Sequence, residues 1–519
     1  MYLINQPRLF FVMMMVLGLS TFAFTQGEDT TVDASSNGTV SCGPPTYSCA
    51  RNDLIDSNNL NPPPSVANGK NTIVTPSDFK LPIVRVTDKN TYANKSLTVT
   101  LSGSDGDNIF NTDDSYLLVI DGGGWRYPVS FSPSTLQVLN TSAWQIGTNQ
   151  VRFSGSGSFS RSTRNIVYAV PGKSTSITGV NGNGSALYKL TLSGTASITA
   201  TGTKVFDFAT CQGMPNPYDI GHGIWNSVLT VSSGDKRFAQ AFSNQSGGQN
   251  TGTDITVYDA PSGQCYRYDT AHAKLCTSTG CVPMSLSDEF TIHEVYMSLD
   301  GNYLRIVFNK CNKGACTEGT NSNPYFWEIG TTNVTRCYSS TSAANCTGHM
   351  IEGHSHIYNS TTWPETGKRA LSDPLSYSFV NTTPDLSPST DTHYSNNAAD
   401  SSDTAPFWVT NVQNVHTSFG GAGCNKTGNV YEGCTFPGPL YGEIFGITQS
   451  GGYIRAAHTY NSGSSSGFNC ANTIGAISQT GKFFAWTSDW LTTLGKDDKS
   501  QYRCDVFVVN LAAAQGATH

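Results

Sequence analysis

Charge is what this chain has least of. Asp, Glu, Lys and Arg make up 13% of its 519 residues, about half the usual share. A charge-solvated disordered chain is excluded, the more so because 25 Phe and 23 Tyr are present. A basic stripe is also missing, and the net charge is −7, so no nucleic-acid partner is expected. No segment sustains apolar residues at three- and four-residue spacing, which leaves little room for helices. After the first 25 or so residues no apolar run reaches transmembrane length, so the mature chain has no expected span. No Cys pair has the two-residue spacing of a zinc knuckle.

What is present begins with an export pattern. Arg8 precedes an apolar stretch from Leu9 to Leu19, and the small residues Ser20, Thr21 and Ala23 follow. This predicts a signal peptide over 1–25 and a secreted, periplasmic or cell-surface protein. Fourteen Cys, an even count, predict disulfides in such a compartment. Short loops are closed by Cys42 with Cys49, Cys276 with Cys281, Cys311 with Cys316, Cys337 with Cys346, and Cys424 with Cys434. Cys470 and Cys504 flank the last repeat, which leaves Cys211 for Cys265. Residues 26–75, rich in Ser, Asn and Pro, read as a linker or a stapled arm. Residues 76–511 read as one repeat domain, and 512–519 as a disordered tail.

The repeat is a polar turn between two short apolar strands. It stands clearest at Met297–Phe308, around Asp300-Gly301, and at Ala476–Trp486, around Thr480-Gly481. Looser copies surround Asp114 and Gly234-Asp235. The four turns lie about two, one and three repeats apart at roughly 60 residues each, somewhat longer than common propeller repeats. Degenerate copies fill the gaps at Arg164–Val170, Gly353–Tyr358 and Ala405–Val409. The pattern predicts an all-β fold, a β-propeller of about seven blades, with six or eight fitting the same intervals. Leu81–Asp88 is a strand with no local partner, and Asp505–Val509 is its expected neighbour in a last blade closed by the N-terminal strand.

Histidines supply the one chemical pattern. Of the ten, several fall at or near the predicted inner strands: His222, His293, His349, His354, His356, His393 and His458. Inner strands line the central channel, so these side chains converge on one funnel. His293, His349, His354, His356 and His393 form the candidate metal set, with Glu294 or Glu352 adding a carboxylate to a divalent ion. The blander role, a hydrogen bond that locks a blade, is the commoner one for such a His. Trp490, Trp225, His222 and His458 form the candidate ligand-binding set at the funnel, although blade packing is the commoner role of a Trp. Arg305 and Arg455, in apolar strands, are candidate partners for a uronate. Asp121-Gly122-Gly123-Gly124-Trp125 is followed by no helix and reads as a hairpin turn rather than a phosphate cradle.

The Ser-x-Asp-Gly strand pairs and the closing Asp505-Val506-Phe507-Val508-Val509 resemble exported bacterial propellers of the TolB-like type. His293 with His354-Ser355-His356 is similar to the metal centre of the oligogalacturonate lyase propellers. That resemblance implies a channel metal held by three His and a Gln, supporting β-elimination of pectic fragments. Position 351, where that family's Gln falls, is Ile351. Two functions therefore stand: an exported propeller binding a cell-surface protein or a polysaccharide at its channel face, and a metal-dependent uronate lyase or glycan hydrolase.

Overall fold

The structure, a computed structural model, describes residues 42–53, 63–99, 108–140, 151–153, 156–171, 184–214, 229–246, 249–285, 290–311, 324–337, 349–360, 365–382, 391–396, 401–412, 425–427, 430–432, 440, 442–462 and 473–513. The chain divides into two units, Met1–Thr39 and Val40–His519. The first unit, with the predicted signal peptide, lies outside the described residues, as do His222, Trp225 and 514–519.

Seven antiparallel sheets follow one another along the second unit, and a separate hairpin pairs Asn425–Thr427 with Val430–Glu432. In six of the sheets the first strand lies against the first strand of a neighbouring sheet, as Thr230–Val231 does against Phe290–Met297 and Met350–Glu352 against Asp391–Ser395, while Leu97–Thr98 lies against Asp505–Asn510. This is a seven-bladed β-propeller. Blades 1 to 7 begin on the inner strands Leu97–Thr98, Ser156–Phe159, Thr230–Val231, Phe290–Met297, Met350–Glu352, Asp391–Ser395 and Gly475–Ile477. The degenerate repeats at 164–170, 353–358 and 405–409 fall at the starts of blades 2, 5 and 6.

Composition grades outward across each blade. Strands covered on both faces read as unbroken apolar runs, because no side of them meets water. Tyr116–Asp121, Ile166–Val170, Glu443–Ile447 and Phe483–Ser488 are buried at every position. Some outer strands are wet, as in Thr199–Asp207 and Gly280–Pro283, whereas Tyr453–His458 at the edge of blade 6 is buried throughout. The apolar cores sit between neighbouring blades, and one of them joins Phe483 and Val508 of blade 7 to Phe131 of blade 1 and Val167 of blade 2.

Ring closure follows the sequence expectation. Ile83, Val84 and Arg85 pair with Val509, Val508 and Phe507, so the N-terminal strand completes the sheet that the last strands began. Asp505 anchors the seam. It accepts from Arg503 Nη2 at 2.8 Å, from Arg85 Nη2 at 2.5 Å and from Thr87 Oγ1 at 2.9 Å, with all of these side chains buried.

Residues 42–53 are tied to the ring. Arg51 bridges the outer strand of blade 6 at Arg455, whose Nη1 donates to the Asp53 carbonyl at 3.0 Å. Tyr47 sits edge-on to Trp408 and donates to the Gly481 carbonyl at 3.0 Å. A Cβ on Gly481 would come within 2.6 Å of that phenol oxygen, and its φ of +71° already favours glycine. Disulfides join Cys42–Cys49, Cys211–Cys265 and Cys276–Cys281. The last of these crosses a hairpin that extends blade 3 to six strands. Cys337 and Cys504 are also disulfide-bonded, and Cys346 and Cys470 lie outside the described residues.

The seam yields a prediction. Asp505→Ala leaves two buried guanidinium groups without their carboxylate, and the expected loss of unfolding free energy is about 3–5 kcal/mol. Urea unfolding of wild type and variant measures it. A loss below about 1 kcal/mol would show that the seam does not depend on this acid.

Candidate functional site

Most of the turns that follow an inner strand donate hydrogen bonds to the next turn around the ring. Thr480 of blade 7 donates to Asp114 of blade 1. Ser160 Oγ, Arg161 N and Ser162 Oγ of blade 2 reach Asp235 of blade 3 at 2.5, 2.7 and 2.5 Å. Ser233 N reaches Leu299 O at 2.7 Å, and Leu299 N reaches Gly353 O at 2.8 Å. His354 N, Ser355 N and Ser355 Oγ of blade 5 reach Asp403 of blade 6 at 2.7, 2.7 and 2.8 Å. These short polar linkers fix where the inner strands end, and hence the shape of the channel at the turn side.

A cavity of about 20 Å³ lies there, room for one or two waters where one needs about 10–15 Å³. Its polar wall is Asn108, Ser158, Arg161, Thr230, Tyr296, Glu352 and Asn396, contributed by blades 1, 2, 2, 3, 4, 5 and 6. Leu229, Met297 and Leu299 add apolar surface. Walls drawn from so many blades place the cavity on the propeller axis. Arg161 is the half-exposed member of the lining and marks its opening, while the others are buried.

Two atoms of this wall stand out. Asn108 Nδ2 donates to the Phe159 carbonyl at 2.8 Å, and that contact assigns the amide orientation. Asn108 Oδ1 and Thr230 Oγ1 are buried with no hydrogen-bond partner among the described residues. Burying such a group unpaired costs about 1–3 kcal/mol. Glu352 differs: it accepts from Arg305 Nε, and Glu294 takes Arg305 Nη1 at 2.9 Å. Burial pushes the Glu352 carboxyl above its ordinary range, against the pull of Arg305.

The histidines separate into three places. His349, just ahead of the blade 5 inner strand, and His393, on that of blade 6, meet with ring centroids 4.4 Å apart. His293 lies on the blade 4 inner strand as the unpaired residue of a bulge, and its side chain is outside the described residues. His354 and His356 belong to the turn side, where Asp403 holds the backbone of His354 and lies 3.5 Å from His356 Nδ1. No group of three or more His, Cys, Asp or Glu able to hold a metal occurs among the described residues.

The remaining candidates lie elsewhere. His458 ends the outer strand of blade 6, not an inner one, edge-on to Phe79 and 3.5 Å from Asp78. Trp490 is 1% exposed, stacks on Phe507 and donates to the Pro64 carbonyl at 2.8 Å, so its faces are covered by protein. Trp327 and Trp486 are buried as well. The arginines proposed as uronate partners are internal. Arg305 is held as above, and Arg455 is held by Glu443 at 2.9 and 2.6 Å. Asn108, Ser158, Arg161, Thr230 and Asn396 were not singled out by sequence. Their one signal is position, within a few residues of the repeated turns.

No protein-family model matches the chain, and no curated protein matches it. Among solved structures it is similar to the Dos1 propeller, at 10% identity over 79% of each chain with a TM-score of 0.34. It is similar to the Cps50 (Swd1) β-propeller domain of Myceliophteria thermophila, at 10% identity over 79% of this chain and 99% of that one, TM-score 0.36. A third is the complex of KlAtg21 with the coiled coil of AgAtg16, at 11% identity over 60% and 91%, TM-score 0.30. The seven sheets themselves carry the fold assignment, and nothing about ligand or activity transfers from these structures.

The latch at Asp114 makes stability depend on pH. Burial pushes its carboxyl up to about 6 from 3.8, against hydrogen bonds from Thr480 and Ser478. The folded chain therefore holds this proton more tightly than the unfolded chain. The contribution is complete below about pH 4 and is lost as pH climbs through 6, a change of about 3 kcal/mol. Asp114→Asn is expected to remove that slope when urea unfolding is compared at pH 4, 5, 6 and 7. Parallel curves for variant and wild type would refute it.

Proposed function

We propose that this chain is an exported, disulfide-rich binding propeller whose ligand enters the turn-side mouth of the channel. The observation that carries this reading is the axial cavity, walled by six blades' worth of polar and apolar side chains and opening beside Arg161. Concave sites with a few fixed polar groups are where small ligands and chain ends bind. Export is supported by the disulfides, which persist in oxidising compartments. No helix among the described residues is long and apolar enough to cross a membrane. Kinship with the TolB-like propellers rests on the Ser-x-Asp-Gly turns and the closing Asp505–Val509 strand.

Arg161→Trp tests the reading by covering the opening with a side chain that the half-exposed position can hold. Wild type and variant are compared for retention on glycan arrays and on immobilised envelope proteins. A ligand kept by wild type and lost by a variant that still shows a cooperative melting transition is the expected result; Arg161 Nε donates to the Val231 carbonyl at 2.7 Å, so some loss of stability is expected with it. Equal retention by both would remove the channel mouth as the site.

A second reading has one observation behind it, the contact between His349 and His393 at the other end of the inner strands. Two imidazoles are half of a tetrahedral zinc set, and His293 of the adjacent blade is the natural third donor. Elemental analysis of the purified protein decides it. One equivalent of a divalent metal, lost in His393→Ala, supports a metal centre and reopens the lyase, whereas a metal-free wild type closes that route.

A further inference from the structure

We infer that the channel mouth reads the hydroxyl-bearing end of a neutral glycan. This rests on the reading of the mouth as the binding site and adds the class of ligand. The two partnerless atoms decide the chemistry. Asn108 Oδ1 is an acceptor only, because its amide nitrogen is committed to Phe159. Thr230 Oγ1, on the inner strand of blade 3, accepts or donates. A ligand group completing both must bring O–H or N–H donors, and a hydroxyl serves each atom in turn.

Charge narrows the choice. A cation entering the cavity would pass the Arg161 guanidinium at the opening, and like charges disfavour it. An anion would be pressed against Asn108 Oδ1 and the Glu352 carboxylate. Glu352 is engaged by Arg305, so the innermost wall offers no unbalanced positive charge to hold an acid. A neutral donor-rich group is what remains. Leu229, Met297 and Leu299 provide the apolar surface against which sugar C–H groups pack.

Size sets the mode of binding. About 20 Å³ accommodates one or two hydroxyl-sized groups and no pyranose ring. The terminal residue of the glycan therefore inserts a hydroxyl or hydroxymethyl while its ring rests at the opening beside Arg161. Internal residues of a long chain cannot reach the two acceptors, so the site distinguishes ends from middles.

The test uses the mature chain with its disulfides formed, on an array of neutral oligosaccharides and their uronate counterparts. Soluble forms of any oligosaccharide retained are then titrated by calorimetry. Thr230→Val keeps the shape of the side chain and removes its hydroxyl. It is expected to weaken the retained neutral sugar by roughly tenfold, with the melting temperature unchanged or raised, because a buried partnerless hydroxyl is gone. Thr230→Ser, which restores the hydroxyl, is expected to bind like wild type. A retained sugar that Thr230→Val binds equally well would overturn the inference, as would a clear fall in that variant's melting temperature, which would reveal an internal partner for the hydroxyl. Retention of uronates alone would overturn it too. A protein ligand that Arg161→Trp abolishes, with no neutral sugar retained, would overturn the sugar assignment and leave the binding reading standing.

Discussion

A closed ring of blades has one joint that local folding cannot make, and here Asp505 is the group on which that joint turns. Six of the seven sheets are built from strands that follow one another in the chain, with a hairpin inserted in blade 6. The seventh needs Ile83–Arg85 to meet Asp505–Asn510 across most of the sequence, and the loop-closure entropy of that meeting opposes it. Burying Arg85 and Arg503 without a carboxylate would add a desolvation penalty on top. Asp505 takes both, and Thr87 fills its remaining acceptor position. The charged seam specifies the closing register more sharply than the apolar runs around it, since a one-residue slip would turn Arg85 to the other face of the sheet.

Closure alone does not shape the channel; the turns do. Most turns grip the following one through an acid or a carbonyl, so the mouth is edged by short polar contacts. Asp114, Asp235 and Asp403 perform the same task with different donors: Thr480, the Ser160–Ser162 segment, and the His354–Ser355 backbone. The inner strands end at fixed heights as a result. Asn108 Oδ1 and Thr230 Oγ1 lie in the wall that these strand ends shape, with no hydrogen-bond partner among the described residues.

Much of this fold was legible in the sequence, and the reason is backbone conformation. Asp114, Gly234, Asp235, Gly301 and Gly481 take positive φ, and such turns demand Gly, Asn or Asp, which left a visible mark at four blades. The Gly353 turn of blade 5 takes no positive φ, so its copy was faint and the blade count was left open by one. The closing strand was legible because it had no local partner. Arg305 and Arg455 misled for a physical reason. An arginine within an apolar strand reads as outward-facing, and only strand register reveals that Glu294, Glu352 and Glu443 meet it inside. His458 misled likewise: position in the chain did not tell an inner strand from an outer one.

The proposed site was nearly invisible in the sequence, and that follows from the residues that line it. Imidazoles and indoles attract attention because their chemistry is distinctive wherever they stand, yet the fold spends His354 on a latch, His458 on an outer packing contact and Trp490 on the core. The cavity wall uses Asn, Ser and Thr, the residues this chain has everywhere. What distinguishes Thr230 from dozens of other threonines is a hydroxyl that lacks a partner among the described residues and also lines the axial cavity, a property of three-dimensional packing with no trace in composition or spacing. In a chain built from polar turns and short strands, the proposed specificity therefore rests on which ordinary hydroxyl is left unanswered, and only the packing reveals it.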